Sequence, residues 1–123
     1  MENMFGDVIY RYGREQAIND GVIIDVSEAA REAGFILPVA LTSAVWEKIN
    51  DVPKSFVGIQ DVNGRLWDVL CMAAMKAKSV TGDSFKYNLI MHNGRKKYIE
   101  LKSVISAGDN LEPVLTIMLP NED

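Results

Sequence analysis

The chain has 123 residues, of which 48% are hydrophobic and 24% charged, enough for one globular domain with a core of its own and too short for two ordinary ones. A single cysteine excludes an intramolecular disulfide framework, and with a single histidine beside it a zinc site would rest mostly on carboxylates. The net charge of −4 excludes a broadly basic nucleic-acid-binding surface.

That net charge is unevenly spread. Residues 1–60 carry five basic and nine acidic side chains, residues 76–102 carry seven basic against Asp83 and Glu100, and residues 109–123 carry four acids. One basic region between two acidic ones marks either a partner surface or regions that neutralise one another on folding. The opening residues lack a basic stretch followed by an apolar one, so no secretory signal is expected, and Cys71 suits the reducing cytoplasm. No membrane-spanning run is present.

In chain order, residues 8–12 (VIYRY) read as a strand or extended arm. Residues 13–21 read as a short helix closed by Gly21, a residue that tolerates the left-handed conformation after a helix end. Residues 22–26 (VIIDV) are strand-like. Ser27 then offers an N-cap, with Glu28 favourable in the first turn, and the helix stops at Gly34. Pro38 argues against residues 35–41 as a simple central strand, because proline cannot donate to a ladder. Thr42 or Ser43 caps the next helix, 44–49, and Asp51 opens a loop. Residues 56–60 are extended.

Residues 64–78 (GRLWDVLCMAAMKAK) form the central helix. Leu66, Val69, Leu70, Ala73 and Ala77 make one stripe, and Trp67, Cys71, Ala74 and Met75 cover the neighbouring face. A helix that is apolar nearly all round is expected to be buried. Beyond it, residues 85–91 and 96–104 form a hairpin about Asn93-Gly94, and 114–119 is a third strand stopped by Pro120. The expected class is α+β in a single domain, 1–123: short N-terminal helices and a central buried helix packed on a C-terminal antiparallel meander sheet.

Three blocks carry a resemblance. They are VIY (8–10) with REQAINDGVIIDVS (14–27), AREAGF (30–35), PVA (38–40) and AVW (44–46); GRLWDVL (64–70); and AGD (107–109) with EPVLTIMLPNED (112–123). Together they resemble a family of small bacterial proteins of unknown function, often carried on plasmids, phages and integrated elements. The resemblance covers nearly the whole chain, least well at 84–103, and implies a mobile-element setting. It implies no activity, cofactor or catalytic residue.

Few residues suggest chemistry. Asp68 has apolar neighbours on both sides, and a carboxylate inside such a helix must be paired, protonated or turned to a narrow exposed strip. Asp25, Arg31, Arg65 and Asp68 form the candidate polar cluster, and a small enzyme would be built on them. Lys86, Arg95, Lys96, Lys97 and Lys102, with Tyr87 and Tyr98 nearby, are the candidate nucleic-acid-binding strip; the same lysines also serve to blunt a strand edge. His92 reads as a solvated turn residue. No Walker loop, dinucleotide fingerprint or catalytic triad is present, so no catalytic residue, metal or cofactor is expected. The expected function is therefore that of a non-enzymatic accessory protein acting by binding another protein, with nucleic-acid binding as the alternative and a small enzyme as the third class; the oligomeric state is open.

Overall fold

A computed structural model describes residues 13–54, 58, 60–93 and 96–122. The expected arm at 8–12 and most of the extended stretch 56–60 lie outside the described residues. The elements in chain order are α1 (Arg14–Asn19), β1 (Ile23–Asp25), α2 (Ser27–Glu32), β2 (Val39–Thr42), α3 (Ser43–Asn50), α4 (Val62–Ala77), β3 (Ser84–Asn93), β4 (Lys96–Ala107) and β5 (Pro113–Met118). The class is α+β, as the composition of elements suggested.

The five strands form one sheet in the order β1-β2-β5-β4-β3. The meander β3–β4–β5 is antiparallel throughout. The sheet then continues through β2, which runs parallel to β5, to β1, which is antiparallel to β2. The expected meander is thus three-fifths of a mixed sheet. Pro38 does not keep its run out of the sheet centre. It ends just before the strand starts, where its lack of an N–H costs nothing, and its carbonyl accepts from Leu115 N at 2.9 Å.

Alternation along each strand assigns the two faces. Val39 and Leu41, Leu115 and Ile117, Leu101 and Ser103, and Phe85, Tyr87 and Leu89 face the helices α2, α3 and α4. These helices bury Ala30, Val45, Ile49, Val69, Leu70 and Ala73 in the same cluster. The other face carries Asp25, Ala40, Thr116, Val104, Lys102, Lys86, Glu100 and Tyr98. There α1 is pinned by its first residue: the Arg14 guanidinium donates to Thr116 Oγ1 and the Leu115 carbonyl, both at 3.0 Å.

Caps locate the helix starts. Thr42 is the last residue of β2 and the N-cap of α3, accepting from Val45 N at 3.4 Å. Asp61 caps α4, which begins two residues before the expected start, accepting from Gly64 N at 2.6 Å. Ser27 is not a cap. Its hydroxyl donates to Asp25 Oδ1 at 2.6 Å and its Oγ accepts from Val39 N at 3.0 Å, so it ties the start of α2 to β1 and β2.

Candidate docking surface at the α4–β3 edge

The stripe Val69, Leu70 and Ala73 is buried as expected, but the second apolar face of α4 is not. Trp67 is 44% exposed and Met75 64%, with Met72 also exposed. The residue that joins the core on that helix is Arg65, which is 3% exposed. Apolar content alone does not bury a face; a neighbour has to cover it. Here α4 packs on β3, the last strand of the sheet among the described residues, and its outer side stays exposed.

Arg65 can be buried because its donors are occupied. Its Nε donates to Gln60 Oε1 at 3.0 Å, and Nη1 donates to the carbonyls of Lys48, Ile49 and Asp51 at 3.0, 3.2 and 3.0 Å. Those carbonyls end α3, where a cation complements the helix dipole. Nη2 donates to the His92 carbonyl. One side chain therefore clamps the end of α3, the start of α4 and the end of β3. Burial pulls its guanidinium below the ordinary arginine value, and Asp51 opposes the shift.

The candidate cluster does not assemble. Asp25 stands on the sheet face away from α4, on the edge strand opposite β3, four strand spacings or about 19 Å across. It accepts from Ser27, and its charge acts on Arg14. Arg31 is exposed in the last turn of α2. Arg65 and Asp68 do share a cavity, of ≈ 260 Å³, with Gln60, Asp61, Gly64 and Ile90. Asp68 itself is exposed rather than desolvated, so of the arrangements open to it the exposed strip holds. Burial raises the Cys71 thiol and Asp68 raises it further, the opposite of what a nucleophile needs.

A second cavity, of ≈ 320 Å³, continues from the first along Asp68, Met72, Asn88, Leu89, Ile90 and Tyr98. Ile90 and Tyr98 are cross-strand partners, 61% and 64% exposed. The two cavities make a groove that runs from the outer side of α4 round β3 to Ile90 and Tyr98, and β3 is the last strand of the sheet among the described residues. The sequence pattern did not single out Met72 or Ile90, and it marked Tyr98 only as a neighbour of the basic strip. The signal for Ile90 was its place among Lys86 and Asn88 on the polar alternation of β3.

The candidate nucleic-acid strip is partly committed elsewhere. Lys86 and Lys102 are cross-strand partners, but Lys102 Nζ donates to the Glu122 carbonyl at 2.6 Å. Glu100, paired with Asn88, stands between them and Tyr98. Arg95 lies outside the described residues, and Lys96 and Lys97 are described as β4 backbone. Tyr87, expected beside the strip, points the other way, donating to the Val69 carbonyl at 3.2 Å.

On the far side of the molecule, Arg14, Ser106, Gly108 and Asp109 line a cavity of ≈ 430 Å³ with the apolar Ala17, Ile23 and Val114. Burial lowers the Arg14 value while Asp25, Asp109 and Glu112 raise it. Its guanidinium is spent on Thr116 and Leu115, which makes this cavity a by-product of anchoring α1. No group of three metal-ligating side chains occurs among the described residues, and no helix among them is long and apolar enough to cross a membrane.

A family model described as a family of unknown function (DUF6573) matches residues 1–123. The chain belongs to that family. No curated protein and no solved structure matches it. Membership in the family assigns no activity, so a function has to be argued from the surface.

Proposed function

We propose that this chain is a non-enzymatic accessory protein that works by binding protein, and that the groove between α4 and β3 is where it does so. One observation carries the reading. Met72, Ile90 and Tyr98 are large, mostly apolar and exposed, and they line one groove with Asn88 and Leu89 of a ten-residue strand that is the last of the sheet among the described residues. Exposed apolar groups gathered at an open edge mark an interaction site, since such an edge otherwise invites aggregation. Methionine is suited to this use because its flexible thioether adapts to a partner. The mobile-element setting rests on the sequence resemblance, and a cytoplasmic place on the lone cysteine.

The test compares captures. The chain and its Met72→Glu and Ile90→Lys variants are each immobilised in an extract of a host that carries it. Proteins retained by the original chain and lost with both variants are the expected result. Identical captures from all three remove this surface as the docking site.

A second reading, nucleic-acid binding, is favoured by the juxtaposition of Lys86 with Lys102 on the same sheet face as exposed Tyr98. Its test is the salt dependence of binding, developed below.

A further inference from the structure

We infer that the occupant of the α4–β3 edge is a second copy of this chain, related by a two-fold axis that passes beside Met72. The inference rests on the reading of this edge as a protein-docking surface and names what docks there.

The outer side of α4 presents Asp68, Met72 and Lys76 at i, i+4 and i+8, all three exposed. On a helix these stand in one row, with Asp68 and Lys76 each about 6 Å along the axis from Met72. A two-fold axis at Met72 runs the two α4 helices antiparallel and sets each Asp68 against Lys76 of the other copy. The row is thus its own electrostatic complement: two opposite-charge pairs flank a Met72–Met72 contact. A two-fold interface must be self-complementary in this way, because the same patch meets itself.

The strand agrees with the helix about where the axis lies. Arg65 reaches the His92 carbonyl near the end of β3, and Tyr87 reaches the Val69 carbonyl. Met72 shares its groove with Asn88 and Leu89, the middle of the ten-residue strand. An axis beside Met72 is therefore also an axis through the centre of β3, and two copies of β3 related by it run antiparallel. A register centred on Asn88 sets Lys86 opposite Ile90 of the second copy and keeps the like charges apart. Among the described residues the two edge strands of the sheet differ in keeping with this. β1 is three residues long, as edges that stay unpaired usually are, whereas β3 has ten residues, no proline and one charged lysine.

The experiment is a charge swap read by sedimentation equilibrium. The unmodified chain is expected to be dimeric at micromolar concentration. Asp68→Lys sets lysine against lysine and Lys76→Asp sets aspartate against aspartate, so each single variant is expected to weaken the dimer at least tenfold. Asp68→Lys with Lys76→Asp in one chain restores both pairs and should restore the dimer. Both positions are exposed, and circular dichroism checks that each variant is folded. A nitroxide pair on Met72→Cys, in a Cys71→Ser background, is expected to lie closer than a pair on Asn63→Cys.

A monomeric original chain overturns the inference, as does a dimer that either single variant leaves intact, or a Met72 pair farther apart than the Asn63 pair. A monomer whose captures still depend on Met72 and Ile90 leaves the docking surface standing with a different protein in it. A monomer whose captures do not depend on them removes both.

Discussion

The Asp109 carboxylate accepts the backbone N–H of Arg14 at 2.7 Å and, with its other oxygen, that of Glu15 at 3.0 Å. A residue in the turn after β4 thereby caps a helix that begins 95 positions earlier, in place of Gly13, which has no side chain to do it. These backbone bonds, from Glu15 first and Arg14 second, hold the Asp109 carboxyl below its ordinary value, opposed by some desolvation and helped by the Arg14 charge. A lowered folded value means stability that is present above the unfolded aspartate value and lost as the pH falls through the folded one. Thermal midpoints measured from neutral to acid pH should therefore fall more steeply for the original chain than for Asp109→Asn, which is less stable at neutral pH. Parallel profiles would show that the cap contributes no linkage.

The two best-supported helix positions in the sequence pattern now separate. Leu70 is fully buried, and Leu70→Ala should cost about 2–5 kcal/mol in denaturant unfolding. Trp67 is nearly half exposed, so Trp67→Ala should cost well under that, about 1 kcal/mol, the centre of the range for single substitutions. Equal losses from the two would place Trp67 back in the core.

What could be read from the sequence was local. The β3–β4 hairpin was legible because Tyr87, Leu89 and Met91 alternate with Lys86, Asn88 and Ile90 around an Asn-Gly pair, and the stripe Val69, Leu70 and Ala73 because three buried positions recur at helical spacing. Two features were not. The parallel pairing of Val39 with Leu115 joins residues 76 apart, and nothing near either one announces the other. The rotation of α4 about its axis was ambiguous because both flanks are apolar. Arg65, read as a polar-cluster member, decides it: its charge can enter the core where the carbonyl ends of α3 converge, and that convergence exists in three dimensions alone. The same rotation turns Asp68 out to solvent.

Arg65→Met preserves much of the side-chain volume and removes every donor. The carbonyls of Lys48, Ile49, Asp51 and His92 lose their shared partner, and a buried acceptor left unsatisfied costs about 1–3 kcal/mol. A total loss on the order of 3 kcal/mol is expected, with hydrogen exchange accelerated at the end of α3 and at His92 together. Acceleration at one of the two alone would show that the clamp does not couple them.

For the basic hairpin, neutralising Arg95, Lys96 and Lys97 together should weaken any binding to DNA or RNA and lower the slope of log affinity against log salt by about 0.7–0.9 for each phosphate contact removed. Lys102→Gln should change the slope less than Lys86→Gln, because the Lys102 ammonium already donates to the Glu122 carbonyl. Absence of salt-sensitive binding by the original chain at low ionic strength would end the nucleic-acid reading.

Asp68 is where a structural and a functional carboxylate give opposite results. Were it half of a buried pair, Asp68→Asn would strand its partner and cost about 3–5 kcal/mol. The structure places it at the surface and leaves the Arg65 guanidinium to backbone carbonyls and Gln60, so the substitution removes no buried contact. At protein concentrations low enough to keep copies apart, Asp68→Asn should unfold within about 0.5 kcal/mol of the original chain. At high concentration association adds to apparent stability, and there the original chain should gain more than the variant, since each copy has lost the carboxylate that meets Lys76. A difference that grows with concentration assigns Asp68 to the docking surface. A large loss already present in the dilute protein would return it to the architecture of α4.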